Sequence, residues 1–451
     1  MPGTPRSCGK ATGCATAILI FAIGAGGLRA DRLPHPNGRG REPGVMVAAD
    51  RFEMAADPAL APPLTVAQLE QLAWQQNPTV AQAAERVRAL RGKYQQAGLY
   101  PNPRVGYVGS EIGSGGRAGK QGIAVEQRIV TAGKLRWNRS VVAAEIGAAE
   151  HEWSMQRLRV GNDVRAAAYG VIAARQTVEL SHQLFQVAEE VLVWAERLHG
   201  AGEVSRLDVL RARIEANQGR LAREQAQHAL AAAWRGLAAV VGEPDLPPVP
   251  IVDPADVESA AGDWESARRR LLAESPELRR AEAELDRAEA AWGRACAGRV
   301  PDVELGGGVA YAFAANETIA QVGVAVPLQL FDRNQGNIRR AEAELAAARQ
   351  ELRRVELALQ NRLAGEFRDY LNARETVKHY REAILPDASD ALELVRRGYE
   401  QGELDYLELL GVQQTYFRTH LAYVEARRAA RVRRVQIEGL LLGGGLAPPG
   451  G

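Results

Sequence analysis

The chain has 451 residues but only three cysteines, Cys8, Cys14 and Cys296. Removal of an N-terminal signal would leave Cys296 alone, and a lone cysteine makes no intrachain disulfide, so the fold must stand without covalent staples. Charge of one sign is also missing. With 56 basic against 55 acidic residues there is no positive field to hold a nucleic-acid backbone. Beyond the N-terminus no apolar run approaches the roughly 20 residues of a membrane-spanning helix. Aromatics are scarce, at 6%. The seven histidines are scattered, with no pair at metal-ligand spacing. His151-Glu152 begins like a zinc-protease helix, yet Met155 stands where the second histidine belongs. No phosphate-cradling glycine loop, nucleophile elbow or serine–histidine–aspartate order is present. An enzyme and a resident cofactor are therefore not expected.

What is present is alanine, leucine, arginine and glutamate in the proportions of long helices and coiled coils. Arg6 and Lys10 precede an apolar run, Ala15 to Gly27, and Leu28-Arg29-Ala30 offers a cleavage site, so residues 1–30 read as an export signal. A disordered or mis-started N-terminus is the plainer alternative. Cys14 follows Thr12-Gly13 without a preceding apolar segment, which argues against lipidation. Residues 31–63, rich in Pro, Gly and Arg, read as a disordered leader.

The remainder says the same thing twice. Asn77-Pro78 answers Ser275-Pro276, Pro103 answers Pro301, and Ala124-Val125 answers Ala325-Val326, at an offset of about 200 residues. Residues 64–247 and 263–443 are thus two copies of one unit, joined by a linker at 248–262 and followed by a tail at 444–451. Each copy reads as helix, two strands, very long helix, turn and returning helix.

Thr65 with Gln68 forms a capping box, and Asn77 and Ser275 each offer an N-cap before a proline at the first helical position. In the second copy Ile338, Ala341, Leu345, Ala348, Leu352, Val355, Leu359, Leu363, Phe367 and Tyr370 recur in steps of three and four, a coiled-coil seam. From Asn334 towards Tyr399 that helix spans roughly 100 Å at about 1.5 Å per residue, and Pro386 should interrupt or kink it. Its counterpart, from about Lys134 to Leu198, has no proline. Helices of this length cannot bury themselves alone. Trp137, Trp153, Trp194, Trp234 and Trp292 read as packing between them.

The strands alternate cleanly. Val303, Leu305, Gly307, Val309 and Tyr311 alternate with small or polar residues, as do Ala320, Val322, Val324 and Val326. Val105 and Tyr107, then Ile123, Val125, Gln127 and Ile129, repeat the pattern in the first copy. About ten residues each is close to the 9–11 needed for a tilted membrane strand. A soluble two-hairpin sandwich is the alternative; the flanking helices and the export signal favour the membrane. Tyr100, Tyr107, Tyr311 and Phe313 read equally as an interfacial belt or as ordinary packing. Four strands cannot close a barrel, and an open edge is not tolerated in lipid, so several chains must pool their strands.

The run Val326-Pro327-Leu328-Gln329-Leu330-Phe331-Asp332-Arg333-Asn334-Gln335-Gly336-Asn337-Ile338 resembles the strand-to-helix junction of TolC-like outer-membrane efflux proteins, most of all the CzcC-type branch serving heavy-metal exporters. Val125 to Ile129, leading to Gly133-Lys134-Leu135-Arg136, resembles the matching first-copy junction, with Leu135 where arginine is more usual. Leu207 to Leu210 and Leu407 to Leu410 resemble the two turns at the family's periplasmic tip. The likeness covers residues 64–443, in order and twice.

That resemblance implies a mainly helical fold with a small β part: duplicated long-helix hairpins form an α-barrel, and four strands per chain join a twelve-stranded trimeric transmembrane β-barrel. It further implies an outer-membrane homotrimer with a periplasmic helical portion, in contact with membrane lipid, that docks a periplasmic adaptor bound to an inner-membrane pump. The duct itself is passive, and exports small solutes or heavy-metal cations. Expected tip residues are Ala201, Gly202, Glu203, Val204 and Ser205, with Gln401, Gly402, Glu403, Leu404 and Asp405. Gly202 and Gly402 suit a left-handed helix end; Glu203 and Glu403 read as helix caps, adaptor contacts or a charged ring. Phe331, Asp332, Arg333, Asn334 and Gly336, with Gly133 and Lys134, read as architectural junction residues, Asp332 or Asn334 capping the new helix. A coiled-coil scaffold does not explain four bilayer-length strands. A periplasmic adaptor should show one hairpin beside a compact β-rich module, which this chain lacks.

Overall fold

A computed structural model describes residues 62–113, 116–252, 262–401, 403–404 and 406–448. The expected signal and most of the leader, Cys8, Cys14, most of the linker, Gly402, Asp405 and the last three residues lie outside the described residues. In each copy two helices lead into a hairpin, then into a long helix and its return. The first copy runs α1 (Val66–Gln76), α2 (Pro78–Ala97), β1 (Arg104–Ser110), β2 (Lys120–Ile129), α3 (Lys134–Ala201) and α4 (Arg206–Val241). The second runs α5 (Trp264–Glu274), α6 (Pro276–Ala297), β3 (Val303–Ala312), β4 (Glu317–Ala325), α7 (Gln335–His379), a π-helical turn (Tyr380–Ile384), α8 (Leu385–Glu400) and α9 (Tyr406–Glu438).

Local chemistry sets most boundaries. The Thr65–Gln68 capping box forms in full, and the Asn77 side chain accepts from Thr79 N–H while donating to Val240 O across to α4. Ser275 departs from the expectation. It occupies the N-cap position of α6, but its hydroxyl caps nothing and is buried without a partner among the described residues. α3 holds 68 residues without a break, about 100 Å. Pro386 does not sever the matching helix. Proline cannot donate to the carbonyl four residues back, and its ring crowds that carbonyl. The turn before it widens instead, with Leu385 N–H reaching Tyr380 O, an i→i−5 bond.

Burial comes from lateral packing of helices. Leu69 and Ala73 of α1 sit with Val160, Val164 and Ala168 of α3 and Leu237 and Val241 of α4. In the second copy Leu271 packs against Leu359, Leu363, Phe367 and Tyr370, with Ile437, Leu440 and Leu441. All ten residues of the α7 seam are buried or half-buried. Of the tryptophans, Trp234 is buried with its indole donating to Leu246 O, whereas Trp137, 36% exposed, lies over Gly293 of α6 and Trp194 is 43% exposed.

The four strands form one antiparallel sheet in the order β1-β2-β3-β4. β1 has seven residues rather than the ten expected, because the chain ahead of Arg104 carries Pro101 and Pro103. Residues opposite one another share a face, so register sorts the side chains. Val105, Val125, Gly307 and Val322 form one rung, and Tyr107, Ile123, Val309 and Ala320 another. The opposite face carries Arg104, Glu126, Gly306 and Gly323, then Gly106, Ala124, Gly308 and Gln321. One face is thus apolar and open, Val322 being 88% exposed. The other is built from small and polar residues. A Cβ on Gly308 would lie 2.8 Å from Ile123 O, closer than side chains tolerate, so close strand approach on this face requires glycine.

Candidate functional site

Three places carry the expected functional residues: the sheet, the junction where strands become helices, and the tips of the long hairpins. The sheet has an open edge on each side, since β1 and β4 have no outer partner among the described residues.

At the first junction the chain leaves β2 through Thr131 and turns at Gly133, whose φ of 65° lies in the left-handed region. Lys134 then opens α3 with its side chain turned inward. Its ammonium donates to Asp302 Oδ1 at 2.6 Å, and both residues are 7% exposed. Arg128 clasps the other carboxylate oxygen through Nε at 2.9 Å and Nη2 at 2.6 Å. The Thr131 backbone N–H adds a bond at 3.1 Å, and its hydroxyl donates to Pro301 O at 2.6 Å. Asp302 immediately precedes β3, so this carboxylate ties the second copy's strand to the first copy's strand and helix. Burial pushes its pKa up, but the hydrogen bonds from Lys134, Thr131 and Arg128 outweigh it and bring the carboxyl from 3.8 to about 2. The sequence flagged Lys134 and missed Asp302. The signal was an acid between a proline and a strand, without anything local to suggest its partners.

The second junction is built differently. Asn334 takes the N-cap position with φ 59° but makes no cap bond. Its amide donates to Ala295 O at 2.7 Å, pinning α7 to the end of α6. Asp332 accepts from Asn334 N–H at 2.9 Å, a local turn and not a helix cap. Gln335 Oε1 accepts from Arg333 N–H at 2.8 Å, and Gly336 lies open in the first turn. Phe331 is 91% exposed. Gly133 and Lys134 therefore share one cluster with Asp302, while Phe331, Asp332, Arg333 and Asn334 form a separate local turn.

At the first tip α3 ends at Ala201, and Gly202 takes φ 81°. Gly202 N–H donates to His199 O and Glu203 N–H to Leu198 O, a Schellman turn. Ser205 then starts α4. Its hydroxyl accepts from Asp208 N–H and donates to Asp208 Oδ2 at 2.6 Å, while Ser205 N–H donates to the same oxygen. Glu203 is exposed and caps nothing, because Ser205 and Asp208 already satisfy that helix end. Val204 O lies 2.9 Å from His199 Nδ1. The Ser205 hydroxyl holds the Asp208 carboxyl below its ordinary range. At the second tip Glu403 N–H and Leu404 N–H both reach Gly398 O, and Gln401 N–H reaches Arg397 O. Glu403 is exposed there too. Burial and then the Asp208 charge raise the Tyr399 pKa.

This geometry has relatives. The sequence pattern of the outer membrane efflux protein family matches residues 69–243 and again residues 267–443. The chain is 27% identical over 377 residues to the cobalt-zinc-cadmium resistance protein CzcC of Cupriavidus metallidurans, across 80% of this chain and 86% of that protein. A crystal structure of CusC superposes with a TM-score of 0.71 at 18% identity, covering 88% of this chain and 99% of that one. The outer membrane protein VceC of Vibrio cholerae superposes at 0.69 and 19% identity, over 84% and 96% of the two chains. At those identities the superpositions establish the fold. Two family matches in tandem, on a chain whose strands and long helices also repeat in tandem, make this protein a member of the outer membrane efflux protein family.

Proposed function

We propose that three copies assemble into a passive duct, pooling four strands each into a twelve-stranded barrel, with the helices extending it through the periplasm. The observation that carries this reading is the sheet: four strands, two unpaired edges, one apolar face and one small and polar face. Unpaired N–H and C=O groups in hydrocarbon cost several kcal/mol each, on the order of a full hydrogen bond, so an isolated four-stranded sheet is not stable there. β1 and β4 run antiparallel to one another, so the β4 edge of one copy can pair with the β1 edge of the next, and the pairing closes on itself. The apolar face then meets lipid and the small face lines the barrel.

In this reading the tips, Ala201 to Ser205 and Gln401 to Asp405, meet a periplasmic adaptor bound to an energised inner-membrane pump. The exposed Glu203 and Glu403 are the charges an adaptor would find first. Metal cations are the proposed cargo, after the cobalt, zinc and cadmium in the name of the Cupriavidus relative. Among the described residues no cluster of three potential ligands could hold a metal ion, and the reading assigns choice of cargo to the pump.

Fractionation of the expressed protein, with cross-linking to count subunits, tests the duct. A trimer extracted from outer membranes by detergent is the expected result. A soluble monomer or dimer would overturn it.

A further inference from the structure

The two junctions have two sides, and their charges are handled differently on each. On one side a cavity of about 670 Å³ is lined by Arg128, Lys134, Asp302, Arg294 and Arg340. Arg128 stands opposite Glu304 in register, on the polar face of the sheet, so this cavity lies on the barrel's inner side. Its cations have protein partners: Arg128 and Lys134 hold Asp302, Arg294 holds Asn138, and Arg340 lies near Glu344.

On α3 the inner cavity touches Lys134, Asn138, Val141 and Glu145, while a second groove of about 610 Å³ touches Leu135, Arg136, Arg139 and Ala143. At 3.6 residues per turn these sets occupy nearly opposite faces of the helix. α7 repeats the division: Asn337, Arg340 and Glu344 line the inner cavity, and Gln335, Ile338 and Arg339 line a groove of about 500 Å³. The two grooves therefore face outward, on the side of the sheet's apolar face, and at equivalent places in the two copies.

Each groove combines exposed apolar groups with arginine. The first has Tyr94 and Tyr100 with Arg136 and Arg139; the second has Leu330 and Phe331 with Arg299, Arg333 and Arg339. All five arginines are exposed, and among the described residues none makes an ion pair. Arg139 is held over the Tyr94 ring at 5.7 Å and lies against Gly98, where a Cβ would collide with its guanidinium. The grooves sit at the end of the sheet opposite its hairpin loops, where the helices begin.

Resting on the duct reading above, we propose that these grooves bind phospholipid headgroups of the leaflet facing the periplasm. The apolar residues continue the lipid-facing sheet surface into the acyl boundary, and the arginines take the phosphates. Guanidinium matches phosphate geometry through paired N–H donors, and basic residues at an anionic surface add electrostatic attraction. Three assembled copies would carry the groove six times around the barrel, as an arginine collar at one depth.

The test uses detergent-purified protein and a variant with Arg136→Gln, Arg139→Gln, Arg299→Gln, Arg333→Gln and Arg339→Gln. Subunit number and insertion into phosphatidylcholine vesicles are recorded for both, and binding of phosphatidylglycerol, diacylglycerol and inorganic phosphate is measured in mixed micelles. Phosphatidylglycerol should bind the parent at least about tenfold more tightly than the variant, with both trimeric and inserted, and with neither diacylglycerol nor inorganic phosphate reproducing the difference. Equal phosphatidylglycerol binding by an inserted variant overturns the collar and leaves the duct standing. A variant that loses its trimer while binding lipid as before would reassign the arginines to the seam between copies. A parent that neither assembles nor inserts overturns both readings.

Discussion

Lys134 and Asp302 stand 168 positions apart in the sequence and meet at 2.6 Å with both residues buried. Lys134 begins the first copy's long helix, and Asp302 immediately precedes the second copy's first strand. Their contact, strengthened by Arg128 and Thr131, joins the two copies where the sheet ends and the helices start.

Removing the lysine should expose how much that joint matters. Lys134→Ala leaves a buried carboxylate with one cation fewer, and loss of one partner from such a pair destabilises by about 3 kcal/mol. Asp302→Asn should do comparable damage, and the double variant should fall well short of the sum because both act on one interaction. Unfolding of the detergent-solubilised protein in denaturant, followed by helical circular dichroism, measures all three.

The same carboxylate predicts an acid limit. Its folded pKa of about 2 lies below the ordinary 3.8, so the protonated form is favoured by unfolding. Its stabilising contribution is complete above about pH 4 and fades as pH falls from 3.8 through about 2. Asp302→Asn should flatten that part of the stability-versus-pH curve. An unchanged acid limb in the variant would show that other carboxylates set it.

At the first tip, Gly202 holds φ 81° and Ser205 caps α4. Gly202→Ala should cost about 1 kcal/mol locally through left-handed strain, and Ser205→Ala about 1 kcal/mol through the lost cap. The tip adjoins a small core of Val191, Ala195, Val209 and Ala212 but lies tens of ångströms along α3 from Leu69 and Val164, so amide hydrogen exchange in residues 198–209 should rise while exchange near Leu69 and Val164 stays unchanged.

The sheet faces predict opposite tolerance to charge. Val322→Lys places an ammonium on the apolar face and should cost about 2–4 kcal/mol at mid-bilayer depth, whereas Gln321→Lys, on the polar face, should be tolerated. The fraction of each variant recovered in outer membranes reads the difference, and equal recovery would contradict the assignment of faces.

Much of this protein was legible before any coordinates. The tandem repeat, the α7 seam and the strand alternation are periodic signals, and periodicity reports which faces must be buried. The Thr65 and Asn77 caps were legible too, because a cap acts within three residues of itself. Where the reading missed, some deciding partners were distant and others were close neighbours that filled the same place. Ser275 looks like Asn77 in sequence, but Asn77 has Val240 O to bind and the Ser275 hydroxyl has no partner among the described residues. Glu203 looked like a cap until Ser205 and Asp208 took the place two residues on. Asn334 looked like a cap and instead reaches back to Ala295 on α6. Pro386, expected to interrupt or kink the helix, does interrupt its regular α form, through the one widened turn at Tyr380–Ile384.

By itself the sequence determined that the chain is a duplicated unit of long helices and short alternating strands, because local propensity, capping and hydrophobic period act over a few neighbouring residues. Only the tertiary structure decided that Asp302 closes the joint between the copies, and that Arg128 and Arg294 find partners there while, among the described residues, Arg136, Arg139, Arg299, Arg333 and Arg339 make no ion pair. Those outcomes depend on which side of a helix meets which strand across more than a hundred residues. No local period in the chain encodes that placement.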